Sequence, residues 1–264
     1  MKLLLLNSSA RYGGNTARVM DLIEQSLQAR AKENALDLET ECISLARLSL
    51  KPCLGCRACF DHGEAHCPHG DALLSLYEKM WLADGYIIAS PVYVEDINGI
   101  LKTTIDRMAF LCHRPALFDK SALLFTTSGI GSSRHALTTM EKAFGFWGIK
   151  TVKTMQFRLG ALSAREEIQV RYGKPIKRAS RLFLRRMRQS PFHPSLYSRI
   201  AFTVQQSLWS RSTVDTDSVD YRYWRESGWL ERGIWYYDPS LAHTPMALIA
   251  RTLGKLISLF FDER

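Results

Sequence analysis

Leu3–Leu6 is an unbroken apolar run, and Val19, Leu22, Ile23 and Leu27 recur behind it at helical spacing. The two patterns predict a buried strand over 2–7 and an amphipathic helix over 15–31. The alternation continues through residue 155. Strands are predicted at Leu38–Ser44, Gly85–Ser90, Ala122–Thr127 and near 150–157, with helices at 72–82 (opened by Asp71), 98–112 and 134–147. Five strands separated by helices imply a parallel sheet covered on both faces, with right-handed crossovers. Such sheets bind ligands beyond the carboxyl ends of their strands, where the strand order reverses.

Three segments fall at that end: Ser8–Thr16, Pro91–Asn98 and Thr127–Ser133. The first joins strand to helix through small, hydroxylic and basic residues. Helix N–H groups, the hydroxyls of Ser8, Ser9 and Thr16, and the Arg11 charge suit a phosphate, and Gly13 and Gly14 admit close backbone approach. The spacing matches neither a nucleoside-triphosphate loop nor the usual dinucleotide turn, which leaves a monophosphorylated ligand or an ordinary capped turn. Three loops of Gly, Ser, Pro, Tyr and Asn at one end of one sheet favour a cofactor site over the capped turn.

Four of the six cysteines, Cys53, Cys56, Cys59 and Cys67, lie in one loop over residues 50–69. Four thiolates at this spacing suit a [4Fe–4S] cluster or tetrahedral zinc. His62, His66 and His69 share the loop, so a mixed Cys/His zinc site stays open, as does the reading of these histidines as solvated. Cys42 and Cys112 read as core residues. No hydrolytic Ser/His/Asp or Cys/His arrangement stands out, and no general acid or base is assigned. No apolar run approaches the ~18 residues of a spanning helix, and the first residues lack a signal-peptide pattern, so the expected compartment is the cytoplasm.

Ser9-x-Arg11-x-x-Gly14-Asn15-Thr16, Cys53-x-x-Cys56-x-x-Cys59, Ala83-Asp84-Gly85-Tyr86-Ile87-Ile88-Ala89-Ser90-Pro91-Val92-Tyr93 and Leu101-Lys102-x-x-Ile105-Asp106-Arg107 occur in this order. Together they resemble the flavodoxin-like NAD(P)H-dependent FMN reductases, and within them the iron–sulfur flavoprotein branch. The resemblance covers about residues 1–155. It implies an α/β fold with a doubly wound five-stranded parallel sheet of order 2-1-3-4-5, bound FMN and a homo-oligomer. Ser9, Arg11, Gly14, Asn15 and Thr16 would hold the FMN phosphate; Pro91, Val92, Tyr93 and Asn98 would line the ring and ribityl region, with Gly129 nearby. Cys53, Cys56, Cys59 and Cys67 would be the metal ligands, although the spacing from third to fourth is usually somewhat shorter in that branch and some relatives keep part of this motif without metal. Ser8-Ser9-Ala10-Arg11 departs mildly from the family's Gly-Ser-Pro-Arg start. The implied activity is an FMN-dependent NAD(P)H oxidoreductase passing electrons to a quinone, a redox protein or another small acceptor. Two alternatives remain: a non-enzymatic iron–sulfur flavoprotein electron carrier, and a zinc-stapled scaffold docking to a membrane or protein partner. Loop donors and the acidic pair Glu95 and Asp96 would act on reduced flavin in opposite senses. Lys102, Asp106 and Arg107 read as surface or interface ion pairs.

The division expected is an FMN-binding domain over 1–157 and a mostly helical, basic, aromatic-rich extension over 158–264. Residues 155–264 carry 18 Lys and Arg against 10 Asp and Glu, whereas residues 1–154 are nearly neutral. Residues 171–188 hold eight Lys and Arg and no acid, with Ile176, Ala179, Phe183 and Met187 on one face, and Pro175 is expected to start the helix. A basic amphipathic helix suits peripheral contact with an anionic membrane, an acidic partner or a plain solvated face. Nucleic acid is not expected, because no binding module accompanies the charge. The aromatics of 221–237 suit a lid over the flavin, docking on the sheet or a subunit interface. Pro245–Phe261 reads as an amphipathic helix too short to span.

Overall fold

A computed structural model describes residues 1–188, 194–211, 216–241 and 245–261. The chain runs β1 (Lys2–Asn7), α1 (Asn15–Glu33), β2 (Glu39–Ser44), α2 (Ala58–Asp61), α3 (Leu73–Leu82), β3 (Gly85–Tyr93), β4 (Asp96–Ile97), α4 (Gly99–Arg107), β5 (Ser121–Ser128), α5 (Arg134–Phe146) and β6 (Lys150–Arg158). Four further helices follow: α6 (Arg165–Met187), α7 (Leu196–Arg211), α8 (Val219–Glu226) and α9 (Pro245–Leu259).

Five parallel strands lie in the order β2-β1-β3-β5-β6. This is the expected 2-1-3-4-5 arrangement with one addition. Asp96–Ile97 forms a two-residue strand that turns back antiparallel on β3 and takes fourth place in the count. The four leucines of β1 are at most 2% exposed because both faces of the sheet are covered. Leu4, Leu6, Tyr86, Ile88 and Leu124 meet the α3–α5 layer; Leu3, Leu5, Ile87, Leu123 and Phe125 meet α1 and α6. β2 is an edge strand, so Cys42, expected in the core, is exposed there. Trp147 is buried, whereas Trp81 is 56% exposed.

α6 starts at Arg165, not at Pro175, which lies inside it on the solvent side. There the carbonyl that loses its hydrogen bond to the proline can be solvated. The apolar face read from the sequence is the one that packs: Ile176, Ala179 and Phe183 join the core beneath α1, and Met187 reaches Gly85. The helix expected over 98–112 ends at Arg107 and continues as a 3-10 turn over Ala109–Cys112.

The aromatics of the extension form a third core. Phe202 lies 4.7–6.2 Å, centroid to centroid, from Trp224, Trp229, Tyr236 and Tyr237. The cluster sits on Phe118, just before β5, at the amino ends of the strands. It caps the end of the sheet opposite the three loops, so it is not a flavin lid. Gly148 makes this junction possible: its φ is +91°, and a Cβ there would lie 2.6 Å from Phe118 Cα.

Candidate cofactor site and cysteine loop

The turn after β1 is held by its own polar groups. Asn7 Oδ1 accepts from the Ser9 N–H (2.9 Å), and Ser9 Oγ accepts from the Arg11 N–H (3.2 Å). Gly13 adopts φ +71°, and a Cβ at Gly14 would press on Arg11 Cβ at 3.1 Å, so both glycines serve the tight path. The N-cap of α1 is Gly14, and no side chain caps this 19-residue helix. Its first N–H groups therefore face outward at the β1–β3 switch point, beside Arg11, which is exposed and whose guanidinium has no partner among the described residues.

Not every residue carried over by resemblance points outward. Thr16 is buried and its hydroxyl bonds that of Thr127 at 2.7 Å, joining the loops after β1 and β5. Asn15 accepts from the Ser163 N–H (3.0 Å) and donates to the Gly160 carbonyl, which brings a fourth loop, after β6, to the rim. Asn98 donates to the Ser8 carbonyl (2.7 Å) and accepts from the Leu101 N–H, so it caps α4 and locks two loops together. Thr127 was read only as the start of the third loop, and Gly160 and Ser163 carry no sequence signal because they act only through these distant contacts.

Pro91 is buried opposite Thr127, Val92 is half-buried and Tyr93 is half-exposed; Gly129 lies exposed on the neighbouring loop. Val94 and Glu95 form the β3–β4 turn, both at positive φ (48° and 66°). A β-branched residue there is strained. Tyr12, Val94 and Ile130 crown the three loops at 93%, 99% and 94% exposure. Of the acidic pair, Asp96 is engaged by the Ile97 N–H and by His135 at 3.4 Å, while Glu95 is exposed.

All four loop cysteines line one cavity of about 80 Å³ closed by Phe60 and Phe110. The Gly55 N–H donates to Cys53 Sγ (3.4 Å) and Arg107 Nη2 to Cys67 Sγ (3.3 Å). Burial pushes the Cys59 thiol up, against the pull of the Arg114 charge. Among the described residues no three His, Cys, Asp or Glu side chains converge closely enough to hold a metal ion. His69 faces the cavity but is engaged by the Pro52 carbonyl at 3.1 Å.

Arg107 departs from the surface role expected of it. Lys102 and Asp106 do pair at the surface, 2.5 Å apart, but Arg107 is 4% exposed. It forks onto both oxygens of Asp71 (2.7 and 3.0 Å) and donates to the Lys51 carbonyl (2.8 Å), pinning both ends of the cysteine loop. Burial works against the Asp71 carboxylate, but the Arg107 bonds and charge and the Lys51 and Leu73 N–H groups hold it below the usual range. A second buried cation, Arg114, bonds the Cys59 carbonyl, Glu64 and Asp220, tying the loop to α8.

Comparison with known proteins identifies the family and the fold. The profile of the NADPH-dependent FMN reductase family matches residues 1–162. An iron-sulfur flavoprotein of Methanocaldococcus jannaschii is 40% identical over 107 residues, 40% of this chain and 51% of that protein. One from Archaeoglobus fulgidus is 30% identical over 153 residues, 58% of this chain and 66% of its own length. The chain thus spans about half to two thirds of these relatives. Among solved structures, RosB with a bound riboflavin-phosphate intermediate aligns over 81% of this chain and 89% of its own, with TM-score 0.56 and 17% identity. The apo NADH:FMN oxidoreductase EmoB aligns over 72% and 91%, with TM-score 0.53 and 18% identity. These two show the fold. By sequence profile and by sheet order, the chain belongs to the NADPH-dependent FMN reductase family.

Proposed function

We propose that this protein is an FMN-dependent oxidoreductase that takes a hydride from NAD(P)H and passes electrons to a quinone, a redox protein or another small acceptor. The observation that carries the reading is the uncapped start of α1 at the β1–β3 switch point, beside an exposed Arg11 whose guanidinium has no partner among the described residues. A phosphate would supply the missing acceptor for those N–H groups. The residues present fit FMN on that ground. Arg11, Ser9 and the α1 N-terminus would bind the phosphate. Thr16, Asn15 and Asn98 would fix the loops around it through the bonds they already make. Pro91, Val92, Tyr93 and Gly129 would flank the ring, and the exposed apolar crown would keep water from its open side. Bound flavin supplies hydride and single-electron chemistry.

In the same reading Cys53, Cys56, Cys59 and Cys67 hold a [4Fe–4S] cluster. Supporting it are their shared cavity, two N–H donors aimed at sulfur, and the similarity to proteins named iron-sulfur flavoproteins. Loading requires the loop to tighten around the cluster.

The test is an anaerobic absorption spectrum and iron analysis of the purified protein, followed by titration with NADH and NADPH. Flavin absorbance that bleaches at catalytic rates, with iron at the cysteines, is expected. Bleaching only by a reduced redox protein would make the chain an electron carrier, and zinc in place of iron would remove the cluster. The variant Ser9→Ala/Arg11→Glu/Thr16→Val should emerge colourless. Undiminished yellow colour would overturn the flavin site.

A further inference from the structure

α9 is packed with its small residues inward. Ala247, Ala250, Gly254 and Ser258 are buried against α7, so closely that a Cβ at Gly254 would lie 2.6 Å from Thr203. Its large side chains point away: Leu248, Ile249, Leu253, Leu256 and Leu259 are 40–58% exposed, and Phe260 just past the helix is 85% exposed. At helical spacing these positions spread over about two fifths of the circumference. Thr252 is the one polar side chain within this arc, and its hydroxyl is turned back onto the Leu248 carbonyl (3.1 Å); an apolar face of this kind marks an interaction site, unlike single surface leucines. Arg251 does not interrupt it, because its guanidinium turns inward onto the Ile234 carbonyl (3.2 Å) and the Trp235 ring (5.1 Å). Lys255 stands exposed at the margin.

Charge selects the occupant. Residues 155–264 carry a large excess of cations, and the outer face of α9 holds Lys255 and no acid. A second copy would bring together two extensions of like net charge, whereas an anionic lipid layer complements a basic extension. Fifteen helical residues extend about 22 Å, short of a span, and among the described residues no helix is long and apolar enough to cross a membrane.

We infer that the outer face of α9 docks this protein on an anionic phospholipid surface. The helix lies in the plane of the headgroups with its aliphatic side chains in the acyl boundary, and the Lys255 stem reaches back to the phosphates. The protein would then work as a peripheral membrane oxidoreductase, held by its last helix, with the flavin-binding loops at the other end of the sheet from the aromatic core that carries α9.

The test is density-gradient flotation of the full chain with phosphatidylcholine vesicles, with and without phosphatidylglycerol. Flotation with the phosphatidylglycerol vesicles, weakened by salt and by Lys255→Glu, is expected. Ile249→Glu/Leu256→Glu should reduce vesicle binding on the order of 100-fold, with circular dichroism and melting temperature unchanged because both side chains face outward. Should that variant unfold, Ile249→Ser/Leu256→Ser gives the same readout with less perturbation. The inference fails if the protein stays at the bottom with both vesicle types, or floats equally well with neutral vesicles. It also fails if the α9 variants leave flotation intact. A dimer in solution that Ile249→Glu/Leu256→Glu converts to monomer, without flotation, would assign the face to a second copy instead.

Discussion

Replacing Arg107 with methionine tests whether the cysteine loop is held from inside the fold. The guanidinium makes four bonds: two to Asp71, one to the Lys51 carbonyl and one to Cys67 Sγ. Side-chain exposures in the Arg107–Asp71 pair are 1% and 12%, so water cannot replace what is lost. Methionine fills much of the volume but leaves the Asp71 carboxylate buried and unpaired, at a cost of about 3–5 kcal/mol. The native pair is not free of cost, since Arg107 Nε is itself buried without a partner. The double variant Arg107→Met/Asp71→Leu removes both charges and should recover more than half of the loss. Urea unfolding with m-values compared between variants measures this, and thiol alkylation should show Cys67 reacting faster in Arg107→Met. The pH dependence has a definite sign. The folded Asp71 carboxyl is held below its unfolded value, so its contribution is full above about pH 4 and fades as pH falls through the folded value. The penalty for Asp71→Asn should fade in the same window. A loss under about 1 kcal/mol for Arg107→Met, or a double variant no more stable than the single, would show that the pair is not a buried clamp.

Three further outcomes follow from the geometry. Gly148→Ala forces a Cβ onto Phe118 at positive φ and should cost about 1–3 kcal/mol, read as a lower melting temperature; an unchanged melting curve would mean that the turn before β6 relaxes freely. Val94→Asn/Glu95→Gly places residues suited to positive φ in the β3–β4 turn and should stabilise the fold by about 0.5–1 kcal/mol; a loss of stability would show that the turn is not strained. Burial, aided by the nearby Arg186 charge, depresses the Lys150 ammonium to about 8. In that window the unfolded chain binds the extra proton, so Lys150→Met should raise the melting temperature near pH 7, with a gain that shrinks towards pH 10. A gain independent of pH would remove burial of the charge as its cause.

The order of elements and the carboxyl-end loops were legible in the chain because their signals are local. Leu3–Leu6 cannot remain in water, a strand buried on both faces is an apolar run, and the loop residues between strand and helix name their own turn chemistry. Cys53, Cys56, Cys59 and Cys67 were legible as a group for the same reason. Tertiary structure decided what each polar side chain faces. Arg107 reads from its neighbours Lys102 and Asp106 as a surface residue, yet its partner is Asp71, 36 positions away. Asn15, Thr16 and Asn98 stand in the expected places, but their side chains join loops across the sheet, to Ser163, Thr127 and Ser8. The aromatic block read from the sequence as a lid, a docking surface or a subunit interface, and only its seat on Phe118 showed which end of the sheet it covers. In α9 periodicity reveals a helix and cannot tell which side packs. The close approach of Thr203 to Gly254 turned the small residues inward and left the large ones outside, because two helices can approach so closely only where side chains are absent.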